Sequence, residues 1–264
     1  MRTLTAAERL LQSLGISTPI DIDLEAIAYD QGVLVTYRTL QGCEARIVGF
    51  GSRAIVTVDD RVIPSRRRFS TAHELGHWHY HRGRSFICRP DDIGNYRRNP
   101  TDPERVADGY AADLLMPRYL FDPEAQKIGK CTFEAVEALR KLFRTSITAT
   151  AIRLVEFGPE PSMLVCHGKS GRRWFTRPKN IPEHWFPQAD LDAESYAFET
   201  LHGQGERSRR ALIGADAWFD RRGADRFELY EQSQKISEGE ILTILVFKGN
   251  EMLEESTGGY NVRR

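Results

Sequence analysis

The chain has 264 residues, 41% hydrophobic and 28% charged, with 37 Lys and Arg against 37 Asp and Glu. That composition suits one large or two small globular domains. A net charge of zero gives no bulk attraction to nucleic acid or to an anionic membrane, and no apolar run approaches the ~18 residues of a membrane-spanning helix. Local charge is less even. Between Arg61 and Arg98 nine Arg stand against Glu74, Asp91 and Asp92. Cys43, Cys88, Cys131 and Cys166 are widely spaced, and the N-terminus shows no basic-then-apolar signal segment, so they are expected to be thiols in a cytoplasmic protein.

Taken in order, Leu4, Ala7, Leu10, Leu11 and Leu14 repeat at helical spacing up to Gly15. Asp21 or Asp23 can cap a second helix that runs through Tyr29 and ends near Gly32. Three alternating β-rich runs follow, at 33–40, 44–50 and 54–58. They predict a small antiparallel sheet whose edge could pair with an extended peptide. Arg66-Arg67-Arg68 is either a solvated face or a contact for substrate carbonyls or an acidic partner.

The next stretch, Ser70 to Trp78, contains His73-Glu74-x-x-His77. On a helix His73 and His77 are i and i+4, so both imidazoles leave one face and can bind one metal ion. Glu74 lies about 100° round the helix and can act on a water as general base. His79 and His81 are expected at the surface or beside the ligands. Residues 82–100, with Gly83, Pro90, Gly94 and Pro100, predict a loop that passes close to the cleft.

Thr101 or Asp102 can cap a further helix, Pro103 suits its first turn and Pro117 should stop it. Glu104 and Asp108 are again i and i+4. Glu104 can complete a His-His-Glu zinc site, and Asp108 can accept the second ring N–H of a ligand histidine and fix its tautomer. The bland alternative is a solvated face with two ordinary carboxylates. Cys88, in the loop between these helices, is either a small buried hydrophobe or a fourth zinc ligand that holds an enzyme silent.

These paired stretches carry a resemblance. Arg66-Arg67-Arg68-Phe69-Ser70-Thr71-Ala72-His73-Glu74-Leu75-Gly76-His77, then Glu104-x-x-Ala107-Asp108-x-Tyr110-Ala111-Ala112-Asp113-Leu114-Leu115-Met116-Pro117, resemble the ImmA/IrrE metallopeptidases. The family often has Asn where this chain has Asp108 and Phe where it has Tyr110. The resemblance implies a mainly helical, zincin-like peptidase over residues 1–158. One Zn²⁺ would be held by His73, His77 and Glu104, with Glu74 catalytic. It implies cleavage of a helix-turn-helix repressor that frees stress, DNA-damage or defence genes, as regulators of anti-phage operons in this family do. The alternative is a non-enzymatic DNA- or repressor-binding regulator whose zinc is structural.

Beyond Pro117, helices over 132–157 have helix-turn-helix spacing, which reads as packing beside the peptidase or as a DNA-binding pair with Arg153 on its second helix. Gly158-Pro159-Glu160-Pro161 marks the expected domain boundary. Strands at 163–166, 172–176, 212–219, 226–231 and 241–247, with a helix at 193–201, give an α+β pattern over 159–264. Its position after the peptidase resembles a GAF-like sensor domain. Arg172, Arg173, Trp174, Arg209 and Arg210, with Trp185 and Trp218, are either hairpin core aromatics with solvated arginines or a groove for single-stranded DNA.

Overall fold

The computed structural model describes residues 2–94, 99 and 101–254. They form two compact units, Met1–Pro123 with Arg140–Ser146, and Glu124–Leu139 with Ile147–Arg264. Among the described residues no helix is long and apolar enough to cross a membrane.

The first unit opens with α1 (Ala6–Ser13), fixed at its start by a capping box in which Thr5 and Glu8 satisfy each other's backbone N–H groups. Asp23 caps α2 (Leu24–Asp30). A four-stranded sheet follows, made of β1 (Val33–Tyr37), β2 (Ala45–Phe50), β3 (Arg53–Val58) and a short β4 (Phe86–Cys88), in the order β1-β3-β2-β4. The sheet expected to be antiparallel is mixed. Gly51, at φ 59°, closes β2 and β3 into a hairpin; β4 takes the outer edge of β2, and β1 lies parallel along the outer edge of β3. β4 falls inside the stretch read as a loop and pairs antiparallel with β2.

α3 (Pro64–Tyr80) crosses the inner face of this sheet and buries every residue from Ser70 to Trp78. Trp78 donates its indole N–H to the Gln31 carbonyl at 2.9 Å. α4 (Pro103–Leu115) has Asp102 as its N-cap and ends at Met116, directly before Pro117. α5 (Arg118–Ile128) and α6 (Phe133–Phe143) follow, with residues 124–139 assigned to the second unit, and the turn after α6 holds Arg144 at φ 55°.

The second unit is built on a five-stranded antiparallel sheet of β5 (Ser162–Gly168), β6 (Gly171–Thr176), β7 (Ala211–Gly214), β8 (Glu228–Ser237) and β9 (Glu240–Phe247). Its order is β6-β5-β9-β8-β7. α8 (Tyr196–His202) belongs to this unit, and α9 (Glu251–Glu254) follows the last strand. Trp185, Trp218 and Phe219 fill the core against Met163, Val165 and Leu245. The α+β pattern expected of this half is present, with two changes of extent. The run expected as one strand from 212 to 219 pairs only to Gly214, because Trp218 and Phe219 turn into the core. β8 runs on to Ser237 because its polar residues find partners. Gln232 bonds the Glu134 carboxylate at 3.0 Å, and the hydroxyls of Ser233 and Thr243 meet at 2.8 Å.

α7 (Ile147–Phe157) belongs to the second unit, ahead of the boundary expected at residue 158. The Gly-Pro-Glu-Pro stretch is a turn between α7 and β5, tied down by Arg210 on Glu160 at 2.8 Å and by the Cys131 N–H on the same carboxylate at 2.7 Å. Residues Thr150 to Val155 are all buried and Arg153 lies over the Phe157 ring at 4.8 Å. The DNA-reading alternative for this helix therefore lacks an exposed basic face.

Ile63 is the N-cap of α3 and supplies no side-chain bond to it. Isoleucine is among the poorest N-caps, and it is 66% exposed, so it contributes little packing in return. Ile63→Ser is expected to raise unfolding stability by about 1 kcal/mol. Urea denaturation of the full chain measures this; an unchanged or lower midpoint would show that the helix start is already satisfied.

Candidate metal centre

The centre is made where α3 and α4 approach most closely. A Cβ on Gly76 would lie 2.9 Å from the Ala107 Cα and 3.0 Å from its carbonyl oxygen, so the contact exists because position 76 has no side chain. His73 and His77 on α3 then face Glu104 and Asp108 on α4. His73 Nδ1 is 2.9 Å from an Asp108 oxygen, and both oxygens of Asp108 accept the Gly94 N–H at 2.9 Å. With the His73 Nδ1–H given to Asp108, the Nε2 lone pair points the other way.

There it meets more lone pairs. His73 Nε2 is 3.0 Å from Glu104 Oε2 and 3.1 Å from His77 Nε2, which is itself 3.3 Å from Glu104 Oε2. Cys88 Sγ stands 3.6 Å from His77 Nε2. The four donor atoms all lie within 4.8 Å of one another. Converging acceptors need a cation between them. Tetrahedral nitrogen or oxygen ligands at zinc distances lie ~3.3 Å apart, and a sulfur and a nitrogen ligand ~3.6 Å apart. The observed separations fit such an ion. His77 is held from the side by the Phe86 ring, stacked at 4.0 Å, while its Nδ1 is 3.4 Å from that of His81.

The charges tell the same story. Burial works against protonation of His73, but its bonds to Asp108 and Glu104 outweigh that and raise its pKa to about 9. Burial opposes ionisation of Glu104 too, yet the two histidines hold it well below the usual carboxylate range. Burial, then the charges of Glu74 and Glu104, pushes the Cys88 thiol far up, so only a cation in the cluster would let it ionise. Glu74 is fully buried and, among the described residues, neither of its oxygens has a hydrogen-bond partner. Burial raises its pKa to about 7, with Glu104 acting the same way and His73 and the neighbouring Cys88 thiol against.

The structure therefore brings together His73, Glu74, His77, Cys88, Glu104 and Asp108. It does not bring together the residues read as a single-stranded-DNA groove. Arg172, Arg173 and Trp174 lie on β6 at one edge of the second sheet, while Arg209 and Arg210 precede β7 at the other, four strand spacings or ~19 Å away. Arg173 is paired with Glu240 and Arg210 with Glu160. Trp185 and Trp218 are core residues, closed to stacking with bases. Sequence reasoning missed Phe86 and the Gly94 N–H as supports of the centre, since both reach it through long-range packing. It also left Gly76 without a role, although its place between the two histidines was a visible signal.

Residues 28–155 match the family model described as Peptidase_M78, the IrrE N-terminal-like domain. The solved structure of a Mycobacterium tuberculosis transcriptional regulator is similar over 98% of this chain and 92% of that one, with a TM-score of 0.58 at 16% identity. At that identity the likeness is one of fold. No curated protein matches the chain.

Gly76→Ala forces α3 and α4 apart. It is expected to cost about 1–3 kcal/mol of stability, as overpacking does, and to weaken zinc binding along with it. Denaturant unfolding and a zinc titration of one preparation check both. Normal zinc affinity in a folded Gly76→Ala chain would show that the helix spacing does not set the ligand geometry.

Proposed function

We propose that this chain is a zinc-dependent endopeptidase, a cytoplasmic enzyme that cleaves a helix-turn-helix repressor. The observation that carries the reading is the pairing of three converging ligands, His73, His77 and Glu104, with a buried carboxylate, Glu74, that has no partner of its own. The family match supports the peptidase class, and the repressor substrate comes from the family resemblance. Zinc held there supplies Lewis-acid polarisation of a peptide carbonyl and acidifies water. Glu74, buried beside these ligands, would take the proton from the attacking water and hand it to the leaving amine. Asp108 keeps the His73 ring turned toward the ion. The second unit, read as GAF-like, receives the inducing signal in this scheme. If single-stranded DNA is that signal, Arg172, Arg173 and Trp174 are the members of the expected set that remain side by side.

Glu74→Gln tests the chemistry. The variant is expected to bind one zinc per chain and to cut a helix-turn-helix repressor substrate at least 10²-fold more slowly than wild type. Metal analysis and gel-based cleavage read the two properties separately. Wild-type cleavage by Glu74→Gln, or full zinc content in Glu104→Ala, would remove the corresponding residue from its role.

Cys88 bears on how such an enzyme is kept silent. Were its thiolate to join His73, His77 and Glu104 on a zinc ion, all four ligands would come from the protein, as in a structural zinc site. We propose a latch: Cys88 occupies the fourth position until the signal draws it away. Cys88→Ala separates the readings. A latched enzyme keeps its zinc and cuts the repressor without an inducer. A purely structural site loses zinc affinity and gains no activity, and that outcome would favour the non-enzymatic regulator.

A further inference from the structure

At the N-terminal end of α3 a second arrangement has no part in the peptidase reading. A cavity of about 600 Å³ lies within the first unit, lined by five cationic side chains. Arg67 and Arg68 come from α3, Arg140 and Lys141 from the end of α6, and Arg144 from the turn that follows. The only carboxylate among its lining residues is Glu25, and that group already accepts the Tyr37 hydroxyl. Arg66, the third member of the arginine run, points elsewhere, to Glu44.

Among the described residues Arg67, Arg68 and Arg144 have no ion-pair partner, although the charges of Glu25 and Asp23 reach Arg68 and offset part of the repulsion from Arg144. Arg68 and Arg144 both donate to the one Ile22 carbonyl, at 3.2 and 3.1 Å. The Nε–H groups of Arg67 and Arg68 are shielded from solvent and have no hydrogen-bond partner. Burial, and next the charge of Arg144, hold the Arg68 guanidinium below its ordinary pKa. Two like charges on one acceptor, with buried donors left over, are stable against an anion and costly without one.

Two features of the backbone point the same way. α3 begins at the cavity wall, where Pro64 and Ser65 line it, and Ile63 gives its first turn no side-chain cap. The partial positive charge of that end faces the same space. Arg144, at φ 55°, occupies a left-handed conformation that glycine or asparagine would adopt with less strain. A long cationic side chain kept at a strained position is the kind of outlier that marks a binding role.

We propose that this cavity binds a phosphate group, seated between the Arg68–Arg144 pair and the open N-terminus of α3. Guanidinium groups take phosphate oxygens in bidentate fashion, and the volume falls within the ~300–1,000 Å³ usual for small-molecule sites. The ligand class is therefore inorganic phosphate or the phosphate of a small monoester such as a nucleotide. His73 is six residues past Arg67, about 9 Å along the helix axis, so a bound phosphate would brace the helix that carries the zinc ligands without touching them.

Calorimetric titration of the full chain with inorganic phosphate, and separately with adenosine 5′-monophosphate, tests the site without requiring peptidase activity. Binding at low salt is expected, weakening as salt rises. The double variant Lys141→Ala, Arg144→Gly should bind at least tenfold more weakly. Glycine is at ease at that φ, so the fold is kept, and thermal unfolding of the variant verifies this. Arg173→Ala, in the other unit, should bind like wild type. Equal affinity for the two probes would support recognition of phosphate alone; tighter monophosphate binding would support a nucleotide with its base beside Tyr37. No binding of either probe at millimolar concentration, or undiminished binding by the double variant, would overturn the proposal. So would a poly-glutamate peptide that binds where neither phosphate probe does.

Discussion

The contact between α3 and α4 at Gly76 is the constraint from which the centre follows. Gly76 meets Ala107, and the functional residues sit at the same offsets on both helices. His73 and Glu104 come three residues earlier, and His77 and Asp108 one residue later. One close approach thus sets two ligands, a third, and the carboxylate that turns the first. The sheet beneath α3 does the rest. β4, paired to β2, carries Cys88 and Phe86 to the histidines, one as a candidate fourth donor and the other as a flat wall.

Burial gives this arrangement its electrostatic character. His73, Glu74 and His77 are almost wholly removed from water, in a position where unpaired polar groups are costly. The three nitrogen and oxygen donors can share protons among themselves, which is what the raised pKa of His73 and the lowered one of Glu104 express. Glu74 has no such recourse. A buried carboxylate with a pKa near 7 and no partner is poorly placed for stability and well placed for proton transfer. The first unit accepts that penalty at Glu74 while packing the helices on either side tightly.

Much of this was legible because it is local. The His73–His77 and Glu104–Asp108 spacings are helical periodicities, and Asp102, Pro103 and Pro117 mark the ends of α4 in sequence. What failed to show depends on partners far along the chain. β4 has three residues, too few to display an alternating pattern, and is a strand only because β2 offers it an edge. The parallel pairing of β1 with β3 leaves no trace in either strand's own pattern. Trp185 and Trp218 look like stacking platforms beside arginines, yet each spends its indole N–H on an internal acceptor, the Met252 carbonyl and Glu231. Aromatic and basic residues interleave in the same way whether the rings face in or out, so burial had to be seen.

Sheet order has a consequence for how the chain is made. The central strand of the second sheet is β9, and Ser162 pairs with Val246, so that sheet cannot close until nearly the whole chain exists. All four donors of the metal cluster lie between His73 and Glu104. At ordinary translation rates the ribosome finishes the donor set roughly ten seconds before it finishes β9. Loops of this length close at modest entropic cost, whereas the long-range pairing of the second sheet is slow by topology. A nascent chain would therefore present this candidate donor set while the C-terminal unit is still incomplete. Cys88 lies within that same early segment, so its thiol stands beside the histidines before the C-terminal unit is complete.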